Sequence, residues 1–338
     1  MIPPEKRATI RDVAVAAGVS QSTASRALTG RGYAAEAVRE RVQEAAHQLG
    51  YVPDAMARHL KQRVSRSVGV LVHDLRNSFY ADLAAGAGNA ARARGYTITL
   101  TDLGGGATDE VEGAEAFVAM RVAGVVVTPG SAAITDYLGR HRVPSVEVDR
   151  QFAPATCDAV VVDNRKAARE VTEHLLDLGH RRVALLIDET DWTTGRERYE
   201  GYCTALEARG LEVDRGLVVA SGWDVAAAKA TATTLFASPA RPTALFAANN
   251  VLAEGAWRAA ADMGLHIPSD LSLASFDDAP WMTMVTPTVT AVVQDSVAVG
   301  EAAVTRLLDR IEDPAAPPRT VVLAAPLTVR GSTAPPAS

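Results

Sequence analysis

Apolar residues recur with helical spacing in three short stretches near the start of the chain. The first begins after Thr9, which has the spacing of a capping box with Asp12, and Gly18 ends it. The second begins after Ser20, a good N-cap residue, and the third runs from about Glu36 to Leu49. These patterns predict three helices around a small core, the first two joined by a tight turn as in a helix-turn-helix. The inward positions are Ile10, Val13, Ala14 and Ala17; Ala24, Ala27 and Leu28; and Val38, Val42, Ala45, Ala46 and Leu49.

After the third helix, residues 52 to 60 (VPDAMARHL) follow a proline and are too few to form a stable helix alone. We expect this segment to become helical only against a partner.

From Ser67 the pattern changes to short apolar runs that alternate with amphipathic segments. Strands are predicted at about 68–72, 96–100, 123–127 and 144–148, and the alternation restarts after residue 164 with strands at 182–187, 217–220, 243–247 and 271–276. Alternating strands and helices predict parallel sheets covered on both faces. The fold class is therefore α/β: an all-α head followed by a body of two doubly wound halves with a cleft between them.

Polar residues mark the ends of several predicted strands, where ligands bind in such sheets. They are Asp149 and Arg150, Asn249 and Asn250, and Asp277 and Asp278.

The outer face of the second predicted helix is uncharged except for one arginine. It carries Gln21, Ser22, Ser25 and Arg26, residue types that hydrogen-bond to base edges in a DNA groove. Charge supports this interpretation, because residues 1–66 hold eleven Lys and Arg against six Asp and Glu, although the chain as a whole has a net charge of -6. A basic head on an acidic body is typical of a nucleic-acid-binding module joined to a body of another function.

Composition narrows the remaining possibilities. The two cysteines, Cys157 and Cys203, lack the spacing of a zinc site or a disulfide framework. Neither an export signal nor an apolar run of membrane-spanning length is seen, so we expect a cytoplasmic protein that does not enter the membrane. Without an acid and base beside a nucleophile in a known motif, we expect no catalysis, no metal and no cofactor.

Several long segments resemble the LacI/GalR family of bacterial transcription repressors. They include TIRDVAVAAGVSQSTASRALTG, RERVQEAAHQLGYVPDAMARHL, SVGVLVHDL, GRERYEGY, RPTALFAANN and HIPSDLSLASFDD, in the family's order and spacing. The resemblance covers nearly the whole chain. It implies a homodimer that binds palindromic operator DNA through its head and a small effector through a body similar to periplasmic sugar-binding proteins.

The resemblance also implies roles for individual residues. In the head, the second helix enters the major groove, and the hinge segment orders on DNA and inserts Leu60 into the minor groove beside Ala57 and Arg58. The DNA-binding residues so implied are Thr9, Ser20, Gln21, Ser22, Ser25, Arg26, Ala57, Arg58 and Leu60. The implied effector-binding residues are His73, Phe79, Tyr80, Asp149, Arg150, Arg198, Trp223, Asn249 and Asp277. Their hydroxyl-pairing and ring-stacking chemistry suggests a sugar or another polyol.

Some positions depart from the family pattern. Ala35 and Val38 replace the usual Ser and Thr near phosphates, Asp54 places an acid close to the DNA backbone, and Thr29 replaces an Asn. We therefore expect this head to hold the DNA backbone less firmly than its relatives do.

The predicted organisation is a helix-turn-helix domain (1–52), a hinge (53–66) and an effector-binding and dimerisation domain (67–338). The lobes comprise about 67–163 with 294–323, and 164–293 with 324–331, and a disordered tail covers 332–338. The predicted function is a repressor of carbohydrate-utilisation genes that a sugar-like effector releases from its operator. Three alternatives stay open: a corepressor-dependent regulator that responds to a non-sugar metabolite, a sugar-binding transport protein, and a sugar-modifying enzyme.

Overall fold

A computed structural model describes residues 8–29, 33–51, 65–104, 110–188 and 190–337. The chain divides into two compact units, residues 1–65 and 66–338. Among the described residues no helix is both long and apolar enough to cross a membrane.

The first unit contains three helices: α1 (Ile10–Ala16), α2 (Gln21–Thr29) and α3 (Glu36–Gln48). The predicted capping box forms, because the Thr9 side chain accepts from the Asp12 backbone N–H while the Asp12 carboxylate accepts from that of Thr9. Gly18 has a φ of 65°, which suits the turn between α1 and α2. Small residues build the core, which allows short helices to pack closely: Val13, Ala14, Ala17, Ala24, Ala27, Val42, Ala45 and Ala46.

One inward position was predicted wrongly. Leu49 is 41% exposed because α3 ends at Gln48 and Leu49 is its C-cap. Ala35, at the N-cap of α3, makes no side-chain capping hydrogen bond.

The second unit contains two six-stranded sheets of matching topology. The first sheet has the order β11-β5-β4-β3-β1-β2 and is parallel throughout. Its strands are β1 (Ser67–Val72), β2 (Thr97–Asp102), β3 (Gly124–Val127), β4 (Ser145–Val148), β5 (Asp158–Val162) and β11 (Thr320–Leu323), and its helices are α4 (Ser78–Ala93), α5 (Glu110–Met120), α6 (Ala132–Arg140) and α11 (Ser296–Glu312).

The second sheet has the order β12-β10-β9-β8-β6-β7, and only the β10–β12 pair is antiparallel. Its strands are β6 (Val183–Ile187), β7 (Val218–Ala220), β8 (Ala244–Ala247), β9 (Ser272–Phe276), β10 (Thr290–Val292) and β12 (Leu327–Thr328). Its helices are α7 (Asn164–Asp177), α8 (Thr193–Glu207), α9 (Val225–Phe236) and α10 (Asn250–Asp262), with short 3₁₀ turns at Arg215–Leu217 and Pro280–Thr283.

These two sheets define two lobes. Lobe 1 contains β1 to β5 and β11, and lobe 2 contains β6 to β10 and β12. The chain therefore enters lobe 1 at β1 and returns to it at α11 and β11. Strands β1, β3, β6, β8 and β9 are buried almost throughout, as a parallel sheet covered on both faces requires. The predicted α/β class with an all-α head is confirmed.

The end of the chain differs from the disorder that its composition predicts. The Ser332 hydroxyl donates to the Leu273 carbonyl at 2.6 Å and accepts from the Thr290 backbone N–H at 2.8 Å, and Ser332 is fully buried. The Ala334 carbonyl accepts from the Ser272 hydroxyl at 3.0 Å. These contacts hold the described part of the tail on lobe 2.

Candidate functional site

Helix α2 presents a polar face in the first unit. Gln21, Ser22 and Arg26 are exposed, while Ser25 is half-buried. The Ser20 hydroxyl accepts from the Thr23 backbone N–H at 3.1 Å, which fixes the start of the helix. The Arg26 Nε donates to the Ser22 carbonyl at 3.2 Å, so the guanidinium lies along the face that carries the other polar side chains.

Thr9 is also exposed at the start of α1. The sequence-predicted hinge residues Ala57, Arg58 and Leu60 lie outside the described residues, as does Asp54.

In the second unit, polar residues follow β4 and β9 at equivalent positions in the two sheets. Asp149 and Asp277 each have a φ of 66°, a left-handed conformation that is uncommon for residues other than glycine. Strained backbone of this kind clusters at ligand sites. Both carboxylates lie at the carboxyl ends of parallel strands, where the sequence placed them.

On the lobe 1 side, aromatic rings surround a buried arginine. Arg150 is fully buried, its Nη2 donates to the Tyr80 hydroxyl at 3.1 Å, and its Cζ lies 3.6 Å from the centroid of the Trp192 ring. His73 lies edge-on to both Trp192 and Trp223, with ring centroids 5.8 and 5.5 Å away. Trp192 and Trp223 lie 5.5 Å apart, and both precede helices of lobe 2, so this aromatic cluster joins the two lobes.

On the lobe 2 side, Arg198 reaches from α8 toward the end of β9. Its Nη1 donates to the Ala248 carbonyl at 2.6 Å and lies 4.0 Å from the Asp277 carboxylate. Asn249 caps α10 and donates from Nδ2 to the Asp188 carboxylate at 3.1 Å. Gln294 donates to the Asp277 carboxylate.

Phe79, which the family resemblance implies as an effector-binding residue, is buried behind Tyr80. It packs edge-on against Tyr80 with ring centroids 5.1 Å apart and belongs to the lobe 1 core. Asp278, another residue that follows a strand, forms a two-pronged ion pair with Arg330 and so supports lobe 2.

Burial shifts the pKa of His73, Tyr80 and Asp277, and it raises that of the Tyr80 hydroxyl. Desolvation and the neighbouring Arg150 lower the pKa of His73 to about 4, so the imidazole is neutral at neutral pH. Burial raises the pKa of Asp277 to about 6, with Asp149 and Asp188 adding to the rise and Arg198 opposing it. The cleft thus holds both hydrogen-bonding and charged groups away from bulk water.

Sequence reasoning missed two residues that belong to this cluster. Asp188 follows β6 directly, as Asp149 and Asp277 follow their strands, so its position at a strand end was a usable signal. Trp192 carried no comparable signal, because only the folded structure brings it over Arg150.

A pair of asparagines also joins the lobes. The Asn77 and Asn250 side chains exchange two hydrogen bonds, at 3.2 and 2.8 Å. Asn77 caps α4 of lobe 1, and Asn250 is the first residue of α10 of lobe 2. Among the described residues, no group of His, Cys, Asp and Glu is arranged to hold a metal ion.

Comparison with known proteins identifies both units. Residues 9–54 match the family described as bacterial regulatory proteins, lacI family, and residues 172–333 match a periplasmic binding protein-like domain. The ribose operon repressor of Escherichia coli (strain K12) is 31% identical over 330 residues, which cover 96% of this chain and 99% of that protein.

Solved structures agree with this match. The complex of the transcriptional regulator CelR with cellobiose is 29% identical, has a TM-score of 0.73, and is aligned over 96% of this chain and all of that one. The lac repressor dimer bound to operator and an anti-inducer shares the fold, with a TM-score of 0.86, 24% identity and coverage of 97% and 100%. The chain therefore belongs to the LacI/GalR family of bacterial transcriptional regulators.

Proposed function

We propose that this chain is a repressor of carbohydrate-utilisation genes, released from a palindromic operator when a small sugar-like effector binds in the cleft between lobes 1 and 2. One observation carries the proposal: a single chain contains both a helix-turn-helix head and a two-lobed body, and a ribose operon repressor matches it along 96% of its length. We place its action in the cytoplasm.

The exposed face of α2 supplies the chemistry for sequence-specific DNA contact. Arg26 is the principal base-contacting residue, because a guanidinium can donate twice to guanine, which is worth about 1–3 kcal/mol of discrimination. Gln21 and Ser22 lie beside it and offer donors and acceptors to neighbouring bases. Ser20, Ser25 and Thr9 complete the proposed contact set, together with hinge residues Ala57, Arg58 and Leu60. A two-fold operator requires two such heads, so the acting species is a homodimer.

The cleft supplies the chemistry for a hydroxylated ligand. The carboxylates of Asp149 and Asp277 accept hydroxyl protons, and Arg198 and Asn249 donate to hydroxyl oxygens. The exposed fraction of Trp223 offers a flat apolar face to a sugar ring. His73, Tyr80 and Arg150 line the lobe 1 side, and Phe79 supports Tyr80 from behind.

Regulation follows from linkage between the two sites. An effector that weakens operator binding must itself bind the DNA-bound protein more weakly by the same factor. The sign of the response distinguishes an induced repressor from one that requires a corepressor. We propose no catalytic step, since the polar groups of the cleft are arranged for binding.

The direct test is operator binding measured by fluorescence anisotropy with a palindromic site from the DNA upstream of this chain's own coding sequence. Wild type should bind it more tightly than a scrambled duplex. Arg26→Ala should lose roughly 10- to 100-fold of that preference, which corresponds to the discrimination expected of one bidentate contact.

Arg39→Ala is the matched control, because Arg39 is exposed on α3 rather than α2. It should leave the preference for operator over scrambled duplex intact. If wild type shows no binding at low salt, with or without sugars, the proposed function is wrong.

A further inference from the structure

Exposed arginines mark the starts of the lobe 1 strands. One lies within three residues before five of the six strands of the first sheet, and no Asp or Glu lies in the three residues before any of the six. Because the strands are all parallel, their starts share one edge of the sheet, opposite the edge that carries the cleft residues. The arginine edge consists, in sheet order, of Arg319 before β11, Arg142 before β4, Arg121 before β3, Arg66 before β1 and Arg94 before β2.

Backbone hydrogen bonds hold these strand starts side by side. The Arg66 carbonyl accepts from the Thr97 N–H at 2.9 Å, and the Arg66 Nη1 donates to the Arg94 carbonyl at 3.5 Å. At the other end of the row, the Arg319 carbonyl accepts from the Ala159 N–H at 3.0 Å. Since neighbouring strands lie about 4.8 Å apart, the arginine edge is a band roughly 24 Å long.

The guanidinium groups of this band keep their charge. Among the described residues, none of the five forms an ion pair with a carboxylate, and all five side chains belong to exposed residues. Arg66 instead lies over the Tyr96 ring, with its Cζ 5.3 Å from the ring centroid. An aromatic ring supports a guanidinium group without neutralising it, so the positive charge stays available to an external anion.

Acids do lie near this edge, at the start of β5 and the end of α11, but other arginines engage them. Arg306 and Arg310 both pair with the buried Asp158 carboxylate, at 3.1 and 2.7 Å. Asp309 lies 3.8 Å from Arg306, and Asp313 adds to the rise in the pKa of Arg310 that its hydrogen bond to Asp158 chiefly causes. These acids are therefore compensated within their own group.

Two members of the arginine edge have an uncommon backbone conformation. Arg121 and Arg142 have φ values of 53° and 56°, each just past the end of a helix. After α4 the same left-handed conformation is taken by Gly95, because a residue with a Cβ is strained there. Among the described residues, the other left-handed residues that are not glycine are Asp149 and Asp277 of the cleft. Arginine in a place that suits glycine indicates a use for its side chain.

Lobe 2 provides a comparison within the same architecture. Arg241 is exposed and lies three residues before β8, as Arg142 does before β4. Acids lie among these strand starts, however, since Arg182 pairs with Asp214 at 3.7 Å and Asp270 lies two residues before β9. A band of one sign is thus a feature of lobe 1 and does not follow from strand starts in general.

We propose that the arginine edge is a second DNA-binding surface, which holds the phosphate backbone of duplex DNA while the head contacts the bases of the operator. The inference rests on the proposed function, because it gives the body the same partner as the head. Guanidinium groups donate to phosphate oxygens in pairs, and a linear band of them matches the regular line of phosphates along a duplex. Arg66 is also the first residue of the second unit, so the chain enters lobe 1 from the head at this edge. These features favour DNA over an acidic protein.

The salt dependence of DNA affinity tests this surface. Fluorescence anisotropy of the full chain gives Kd for the operator duplex between about 50 and 200 mM salt, for wild type and for the double variant Arg121→Gly with Arg142→Gly. Each lost phosphate contact lowers the slope of log affinity against log salt by about 0.9, so the double variant should be shallower by roughly 2 per protomer. Glycine suits both backbone positions, so the Tm should not fall.

The matched single variants are Arg142→Gln and Arg241→Gln, which remove one exposed arginine at equivalent positions in lobe 1 and lobe 2. Arg142→Gln should lower the slope, and Arg241→Gln should keep the wild-type value. Equal slopes for wild type and the double variant would overturn the inference, and so would a loss of affinity that appears only with a fall in Tm.

The same titrations with a scrambled duplex separate this inference from the proposed function. Phosphate contacts do not depend on base sequence, so the double variant should also be shallower on scrambled DNA. A wild type that does not prefer the operator would contradict the proposed function alone. Slopes on both duplexes that do not change with the arginines would contradict the second DNA-binding surface alone.

Discussion

Trp192→Ala removes the ring on which the buried Arg150 rests. The Arg150 Cζ lies 3.6 Å from the Trp192 centroid, and the His73 and Trp223 rings are 5.8 and 5.5 Å away in edge-on geometry. A desolvated cation–π contact is worth about 2 kcal/mol and each edge-on ring pair about 0.5–1.5 kcal/mol. The cation–π contact and the two ring pairs together amount to about 3–5 kcal/mol. Since Trp192 is only half-buried, we expect the free energy of unfolding to fall by about 3 kcal/mol, the lower end of that range.

The assay is urea and thermal unfolding of the full chain, followed by effector binding. A loss of that size should lower the Tm by roughly 6–12 °C. The substitution should also weaken binding of the sugar that stabilises the wild type, because the ring belongs to the cluster that joins the lobes. Trp192→Phe, which keeps an aromatic face, should recover much of both effects.

Trp257→Ala is the matched control. Trp257 is likewise half-buried and packs against Trp281 with centroids 5.8 Å apart, within lobe 2 and outside the aromatic cluster. It should lower stability without changing the Tm increase that the effector produces. If Trp192→Ala unfolds at the wild-type urea concentration and responds to the effector as the wild type does, the ring neither stabilises Arg150 nor supports the cleft.

Two further predictions follow from burial and packing. The pKa of His73 is lowered to about 4 by burial and by Arg150, against smaller opposing effects of Asp74 and Asp102, so the unfolded chain binds the proton first as pH falls. The stability that the neutral His73 contributes is therefore present above about pH 6.5 and is lost as the pH falls toward 4. Chemical unfolding should show the wild type losing up to roughly 3 kcal/mol more than His73→Gln across that window. Parallel pH profiles of the two proteins would contradict this. In the α4–α11 contact, a Cβ on Gly300 would lie 2.0 Å from the Leu83 carbonyl oxygen, so Gly300→Ala should lower the free energy of unfolding by about 1–3 kcal/mol. A Cβ on Gly139 would meet nothing within 4 Å, so Gly139→Ala should be neutral or slightly stabilising. Equal unfolding midpoints for the two variants would contradict this prediction.

Periodicity and strand-end position were enough to predict most of the fold. The predicted strand at 96–100 is observed at Thr97–Asp102, and Asp149 and Asp277 lie at strand ends as expected. These features depend on local sequence, since burial of both sheet faces imposes continuous apolar runs.

Local sequence patterns do not predict contacts between residues that are far apart in the sequence. The position of Trp192 over Arg150 depends on how the two lobes meet, and no residue near Trp192 in the sequence encodes it. The tail was misjudged for a related reason. Its small and proline-rich composition is typical of disorder, yet the Ser332 hydroxyl has buried hydrogen-bond partners on β9 and β10.

We propose that a ligand in the cleft controls binding of DNA by the head. The most direct measurement is the Kd for the operator across a titration of the sugar that gives the largest thermal shift, for wild type and for Arg198→Ala. Arg198 is buried in the cleft, so its loss should remove the effect of the sugar while leaving sugar-free operator binding in place. We predict a change in wild-type Kd of roughly 5- to 150-fold, the usual range of allosteric coupling, and none in the variant. An operator Kd that stays constant while the sugar saturates the wild-type protein would show that the cleft does not control DNA binding.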